Sequence, residues 1–289
     1  MRTRVFLIAV LLLIAASLGL TALVNRSEPE DARPRVATSM FPVYDIVRTV
    51  AGDRLNVVML MPPGANPHTF EPTPDTVAQL EGAEVLYTIG YGVDDWTKSI
   101  INALTDMTTL SADIPLRIDE DGNVDPHYWL TIENAKRMAE LAEKDLSGRF
   151  PEYAQVFRAN LGAYLGRLND TQAEIERLMS QVENTHIITQ HDAWYYFADA
   201  YGLDIIGTYE PSSGREPTPE DLATLAETMA EYEVTTLYVD AGESEAAVEA
   251  FATDHNLTLV TLDAEGTSGE YETYIDLILG NARRISENQ

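Results

Sequence analysis

Two of the five histidines in this 289-residue chain directly follow a proline: His68 in "GANPHTFEPTP" and His127 in "DGNVDPHYWL". Proline fixes its own φ and restricts the residue before it, so each imidazole sits on stiff chain. Less entropy is then lost when the ring is held in one place. A third histidine, His191, follows the short apolar stretch "HIITQ", and Asp263 follows "LTLVTL". Neutral imidazole nitrogen and carboxylate oxygen together suit a borderline divalent cation. Zn2+ takes such donors at about 2.0–2.2 Å, usually four at a time, whereas Mn2+ prefers a larger share of oxygen. One histidine is more often structural than a ligand, but two Pro-His loops in one chain tilt the balance toward metal for His68, His127 and His191. Asp263 carries a second reading, because an Asp at a strand end often caps the turn that follows.

The other two histidines read as structural. His186 opens a strand, and His255 lies near a helix C-terminus, where the helix dipole favours a cation. The stretch "DEDGNVD" (119–125) alternates oxygen-bearing side chains like a calcium loop, but its register fails: counting from Asp119, position six is Val124 instead of glycine and position twelve is Leu130 instead of glutamate. It reads as a solvated acidic turn. There is no G-x-S-x-G, phosphate-binding glycine loop or H-E-x-x-H. Cysteine is absent, which excludes a thiolate metal site, a disulfide, a cysteine nucleophile and a lipidated cysteine within these residues.

These candidate donors must be positioned by regular elements, and the chain supplies them in alternation. Short β-branched and apolar runs (35–41, 55–61, 84–90) alternate with helical spacing in "VYDIVRTVAG", "TPDTVAQLEGA", "WTKSIINAL" and "TIENAKRMAELAEKDL". Helical spacing then persists over about 33 residues, with apolar side chains from Phe150 to Val182. Alternation resumes with strands at 186–190, "DIIGTYE", "VTTLYVD" and "LTLVTLD". Such a pattern predicts an α/β fold of parallel sheets covered by helices, in two halves around one long helix. Ligands of open α/β sheets bind beyond the carboxyl ends of strands. His68, His191 and Asp263 fall at such ends, and His127 lies in a loop just before a helix. Two of the four come from each half, so a cleft between the halves would gather them.

Composition narrows the partners. Acidic residues outnumber basic ones 47 to 19, a net charge of −28, which argues against a nucleic-acid partner. The 45% hydrophobic content is ample for two packed lobes. At the N-terminus, Arg2 and Arg4 precede an apolar run from Val5 to Val24 and a polar spacer, the pattern of an export signal. The run is also long enough to span a bilayer, and a signal peptide and a retained membrane anchor both place the remainder outside the cytoplasm. The expected division is 1–33 signal or anchor with spacer, 34–148 N-terminal lobe, 149–183 linking helix and 184–289 C-terminal lobe.

The segments "GANPHTFEPTPDTVAQLEGAEVLYTIG", "DPHYWLTIENAKRMAELA", "ITQHDAWYYFADAYGLDIIG", "EPTPEDLATLAETMAEYEVTTLYVD" and "LDAEG" resemble the metal-binding solute-binding proteins of bacterial zinc and manganese ABC transporters. The resemblance runs from about residue 35 to 286 in unbroken order. It implies two (β/α)4-type lobes joined by one long helix, with a metal cleft between them. It also implies capture of a divalent metal ion for delivery to a membrane permease, without catalysis and as a monomer. Its motifs carry the metal ligands onto His68, His127, His191 and Asp263, a zinc-leaning set with Mn2+ as the alternative. Where many zinc-specific relatives have a His-rich loop, this chain has the acidic "DIPLRIDEDGNVD", and "YVD" puts Asp240 where relatives commonly have glutamate, leaving it a structural or outer-sphere role. Two rival readings use the same histidines. One is an exported zinc hydrolase with Glu216 or Glu243 as base, and the other is a metal-dependent adhesin. Because ligand imidazoles must be neutral, affinity is expected to fall as pH drops through about 6.

Overall fold

Residues 33–101, 106–118, 122–210, 215–242 and 245–289 are described by the computed structural model. Among the described residues the β-branched runs form eight short strands. In the first half these are β1 (Arg35–Thr38), β2 (Asn56–Met59), β3 (Ala83–Thr88) and β4 (Asp106–Thr109). In the second half they are β5 (His186–Thr189), β6 (Asp204–Thr208), β7 (Thr236–Asp240) and β8 (Thr258–Leu262). Each half makes one parallel four-stranded sheet, ordered β2-β1-β3-β4 and β6-β5-β7-β8. Both orders reverse direction between the first and third strands of the half, which opens a crevice at their carboxyl ends.

The helices begin where their caps are written. They are α1 (Phe41–Ala51), α2 (Pro74–Leu80), α3 (Ile132–Arg149), α4 (Ala154–Met179), α5 (Tyr195–Tyr201), α6 (Pro219–Glu231), α7 (Glu245–His255) and α8 (Tyr274–Glu287). Thr73 and Thr218 form capping boxes with Thr76 and Asp221, each followed by a proline in the first turn. Thr131 and Thr273 accept from the N–H three residues on and start α3 and α8.

Two expectations shift, and one strand was not expected. The helical run predicted from 150 to 182 is interrupted at its start. Phe150 ends α3 with its N–H on the Leu146 carbonyl, Pro151–Tyr153 make a 3-10 turn, and the long helix α4 spans 26 residues from Ala154. Pro151 lacks an N–H and bars helical geometry at the residue before it, so the two helices cannot fuse. At 1.5 Å per residue α4 is about 39 Å long. In the described part of "WTKSIINAL", where a helix is expected, Asp95–Ser99 form a 3-10 turn in which the Thr97 hydroxyl donates back to the Asp94 carbonyl, and residues 102–104 lie outside the described residues. Strand β4 carries no apolar run because it is a half-exposed edge.

One apolar cluster runs through both halves, joining Val36, Val85 and Trp129 to Phe157, Tyr164 and Leu168 of α4 and on to Ile187, Leu262 and Ile285. Smaller clusters cover the outer sheet faces, around Leu60 and Leu86 in the first half and Ile188, Leu237 and Val239 in the second. The alternation of Val36 with Ala37, and of Ile187 with Ile188, sends neighbouring side chains to opposite faces. The long helix packs on α1, α3 and α8, so it braces both halves.

Polar contacts fix the halves as well. The Trp129 indole N–H donates to the Ala264 carbonyl at 2.7 Å, the Tyr274 hydroxyl to the Trp129 carbonyl at 2.6 Å, and the Tyr274 N–H to Asp45 at 2.8 Å. Among the described residues no helix is long and apolar enough to cross a membrane, and the apolar run 5–24 lies outside them.

Candidate metal site

The two Pro-His loops share one local device. In Asn66-Pro67-His68 the Asn66 side-chain oxygen accepts from the His68 N–H at 2.8 Å, and in Asp125-Pro126-His127 the Asp125 carboxylate accepts from the His127 N–H at 2.9 Å. Each is a short polar side chain closing onto the backbone two residues ahead, with proline stiffening the middle. Both loops thereby present an imidazole toward the second half. His191 comes one residue after Gln190, at the carboxyl end of β5, and its carbonyl accepts the Thr189 hydroxyl at 2.7 Å.

The three rings converge. Their centroids are 5.5 Å apart for His68 and His127, 5.6 Å for His127 and His191, and 6.1 Å for His68 and His191. A fourth group joins them. One ligand atom from each of His68, His127, His191 and Glu265 lies within 4.8 Å of all the others. His127, His191 and Glu265 are buried and His68 is half-buried. The Nε2 atom of His191 is buried with no hydrogen-bond partner among the described residues. An orphaned imidazole nitrogen in such surroundings carries a desolvation cost unless a further atom meets it. Three nitrogens and a carboxylate oxygen at these spacings form a donor set suited to one divalent ion.

Asp263 does not join them. It is fully buried, and one of its oxygens accepts from the Gly266 and Thr267 N–H groups at 2.7 and 2.9 Å. The other accepts from the Ser268 N–H at 3.0 Å and the Ser268 hydroxyl at 2.6 Å. The expectation that this carboxylate turns to the histidines gives way to the turn-capping reading. A buried carboxylate that already satisfies the N–H groups of a tight turn has its acceptor capacity engaged. By tying the turn, Asp263 instead presents Glu265, two residues on. Gly266 makes this possible with φ of +76°, and a Cβ there would stand 2.3 Å from the Phe41 ring. The sequence signal for Glu265 was present in "LDAEG", which offers two carboxylates, but spacing alone does not say which one the turn consumes.

Behind the site stand two more carboxylates. Asp240, the last residue of β7, accepts from His191 Nδ1 at 2.6 Å and from the Trp194 indole at 3.2 Å. Asp125 reaches His127 Nδ1 at 2.9 Å with the oxygen that also caps the loop. Asp125 was not singled out by the sequence.

These surroundings pull the histidines apart. Burial, then the charges of His127 and His191, push His68 down to about 3. Burial also opposes charge on His191, but the Asp240 carboxylate outweighs it through charge and hydrogen bond, helped by Glu265 and Asp192, and raises it to about 10. The proton competition expected near pH 6 from an ordinary imidazole therefore extends through neutrality at His191. His186 and His255 lie elsewhere, the first bonded to Asn184 and stacked near Tyr232, the second beside Phe251. Glu216 is exposed, and Glu243 lies outside the described residues.

Comparison with known proteins agrees with this architecture. The family model described as "Zinc-uptake complex component A periplasmic" matches residues 36–288. The chain is 28% identical over 285 residues to the manganese-binding lipoprotein MntA of Halalkalibacterium halodurans, spanning 96% of this chain and 94% of that one. It is 26% identical over 304 residues to the zinc-binding lipoprotein AdcA of Streptococcus pneumoniae, spanning 97% of this chain and 60% of AdcA. Its fold is similar to the crystal structure of ZnuA with a TM-score of 0.81 and 27% identity, covering 89% of this chain and 99% of that chain.

Proposed function

Since the chain belongs to the family of periplasmic component A of zinc-uptake complexes, we propose that it captures Zn2+ outside the cytoplasm and delivers it to a membrane permease. It is an extracytoplasmic substrate-binding protein of a metal ABC transporter and not an enzyme. In this reading His68, His127, His191 and Glu265 hold the ion, while Asp263 shapes the turn that brings Glu265 in. One observation carries it: four donor atoms, two from each half of the chain, lie within 4.8 Å of one another. Four protein ligands close the shell of a tetrahedral ion and leave no place for an activated water, which suits transport rather than hydrolysis. Three imidazole nitrogens against one carboxylate favour Zn2+ over Mn2+, which prefers oxygen.

Manganese is the second reading. It is favoured by the similarity to a manganese-binding relative, and a carboxylate that binds through both oxygens would raise the coordination number. The test is elemental analysis of the chelator-stripped protein after exposure to equimolar zinc, manganese and iron. One zinc per chain is expected. Manganese in its place would overturn the choice of metal, and no bound metal would overturn the site. Calorimetry on His68→Ala should show weakened zinc binding, and zinc uptake by cells should fall when the gene is deleted.

A further inference from the structure

We propose that Asp240 and Asp125 are positioning residues, each holding the Nδ1 side of one imidazole so that its Nε2 atom points at the common centre. The inference rests on the metal-capture reading and adds to it the groups that fix ring orientation and tautomer. The two contacts are made by different halves of the chain. Asp240 is fixed from several sides. Its two oxygens accept from His191 Nδ1 at 2.6 Å and Trp194 Nε1 at 3.2 Å, and its own N–H donates to the Gln190 side chain at 3.1 Å. Asp240 and His191 are both buried. A ring that spends Nδ1–H on this carboxylate has only Nε2 left, and that atom is the one with no partner.

Asp125 is held across the cleft. Its carbonyl accepts from the Tyr196 hydroxyl of the second half at 3.2 Å, and that same hydroxyl accepts from the Arg117 N–H at 2.7 Å. The Asp125 N–H donates to the Arg117 carbonyl at 3.0 Å. Held this way, the carboxylate takes His127 Nδ1 and turns Nε2 to within 3.4 Å of His68 Nε2. Two imidazole nitrogens stand at that distance and the buried Nε2 of His191 lies beside them, so three ring nitrogens face one small space. A cation reconciles them. The Asn66 that replaces Asp125 in the sister loop makes the same backbone turn, but its amide cannot supply a charged acceptor. A carboxylate behind a ligating imidazole fixes which nitrogen is free and raises its basicity, and loss of such a partner weakens metal binding about 10–100-fold.

The test compares Asp240→Asn, Asp125→Asn and His191→Ala in the full chain, stripped of metal. Zinc affinity is read by competition with a chromophoric chelator. The Co2+-loaded proteins give a visible spectrum that reports ligand geometry, and metal-free thermal unfolding reports the fold. Asparagine at 240 offers one oxygen to two donors, so the His191 ring must turn or the Trp194 bond must break. At 125 it keeps the backbone turn through its oxygen and loses the charge. The expected result is about 10–100-fold weaker zinc binding for each Asn variant, with altered Co2+ bands at saturation. If His191→Ala loses binding while both Asn variants bind within about twofold of the parent, with unchanged Co2+ bands, positioning is overturned and the site stands. If affinity falls only in step with metal-free thermal stability and the bands are unchanged, the residues are structural and the inference also fails. If His191→Ala binds like the parent, the site itself falls and the inference with it. Should Asp240→Asn fail to fold, Asp125→Asn decides alone.

Discussion

Exchanging the roles of the two carboxylates in "LDAEG" tests the site most sharply. Asp263 is fully buried and accepts from three backbone N–H groups, those of Gly266, Thr267 and Ser268, as well as from the Ser268 hydroxyl. In Asp263→Ala those donors lose a charged acceptor in a place that water reaches poorly. An unsatisfied buried donor costs about 1–3 kcal/mol, and partial relaxation of the turn recovers some of it, so a loss of about 3–5 kcal/mol is expected. For a chain of this size each kcal/mol is worth about 2–4 °C, so the metal-free Tm should fall by about 10 °C. Glu265→Gln keeps the shape of the side chain and removes its charge. It should leave the metal-free Tm near the parent's, because the hydrogen bonds of the Asp263 turn are untouched. Zinc affinity, however, should fall by at least about 100-fold, the upper end of what loss of an outer-sphere partner costs, which is about 2.7 kcal/mol. Differential scanning calorimetry of metal-free protein and chelator competition for zinc read the two quantities separately. The reasoning is refuted if Asp263→Ala keeps the parent's Tm while losing zinc, and Glu265→Gln binds zinc unchanged. That pattern would make Asp263 the ligand and Glu265 a bystander.

Three further outcomes follow from the same geometry. The raised His191 value, about 10 against 6.5 in an unfolded chain, stabilises the metal-free fold fully below pH 6.5, and that contribution is lost as pH rises through about 10. His68 is the opposite case: held down at about 3, it supports the fold above pH 6.5, and metal-free stability falls as pH drops from there toward 3, at no more than about 1.4 kcal/mol per pH unit. Metal-free urea titrations across pH 4–10 check both slopes. Zinc loading at pH 8, followed by pH-stat, should release about one proton per chain from His191. Gly266→Ala forces a side chain into a positive-φ position and a Cβ against Phe41, so the turn must lift from the first half. Its zinc affinity and metal-free Tm should both fall, whereas Gly82→Ala, also at positive φ but with nothing within 4 Å, should lower Tm alone.

Much of the architecture was legible because it rests on local physics. Strand and helix alternation, the Thr73 and Thr218 caps, and the Asx-Pro-His turns at 68 and 127 are set by neighbours within a few residues. Edge strand β4 was illegible because its residues face solvent and carry no apolar rhythm. The break at Pro151 was readable in principle, since proline disfavours a helical residue before it, but a sustained apolar period on both sides masked it.

Residue type and chain stiffness are local properties, so the order of residues already marks which side chains are chemically fit to bind a metal and that they stand at strand ends and stiff loops. Which carboxylate comes to lie beside the three imidazoles is settled only by the packing of the two halves. Asp263 and Glu265 are two residues apart and chemically alike. What separates them is that the backbone N–H groups of one turn point at Asp263, while Gly266 packed on Phe41 and Trp129 bonded to Ala264 dock that turn against the first half. The pairing of Asp240 with His191 is likewise decided only when β5 and β7 lie side by side, bringing together residues 49 positions apart.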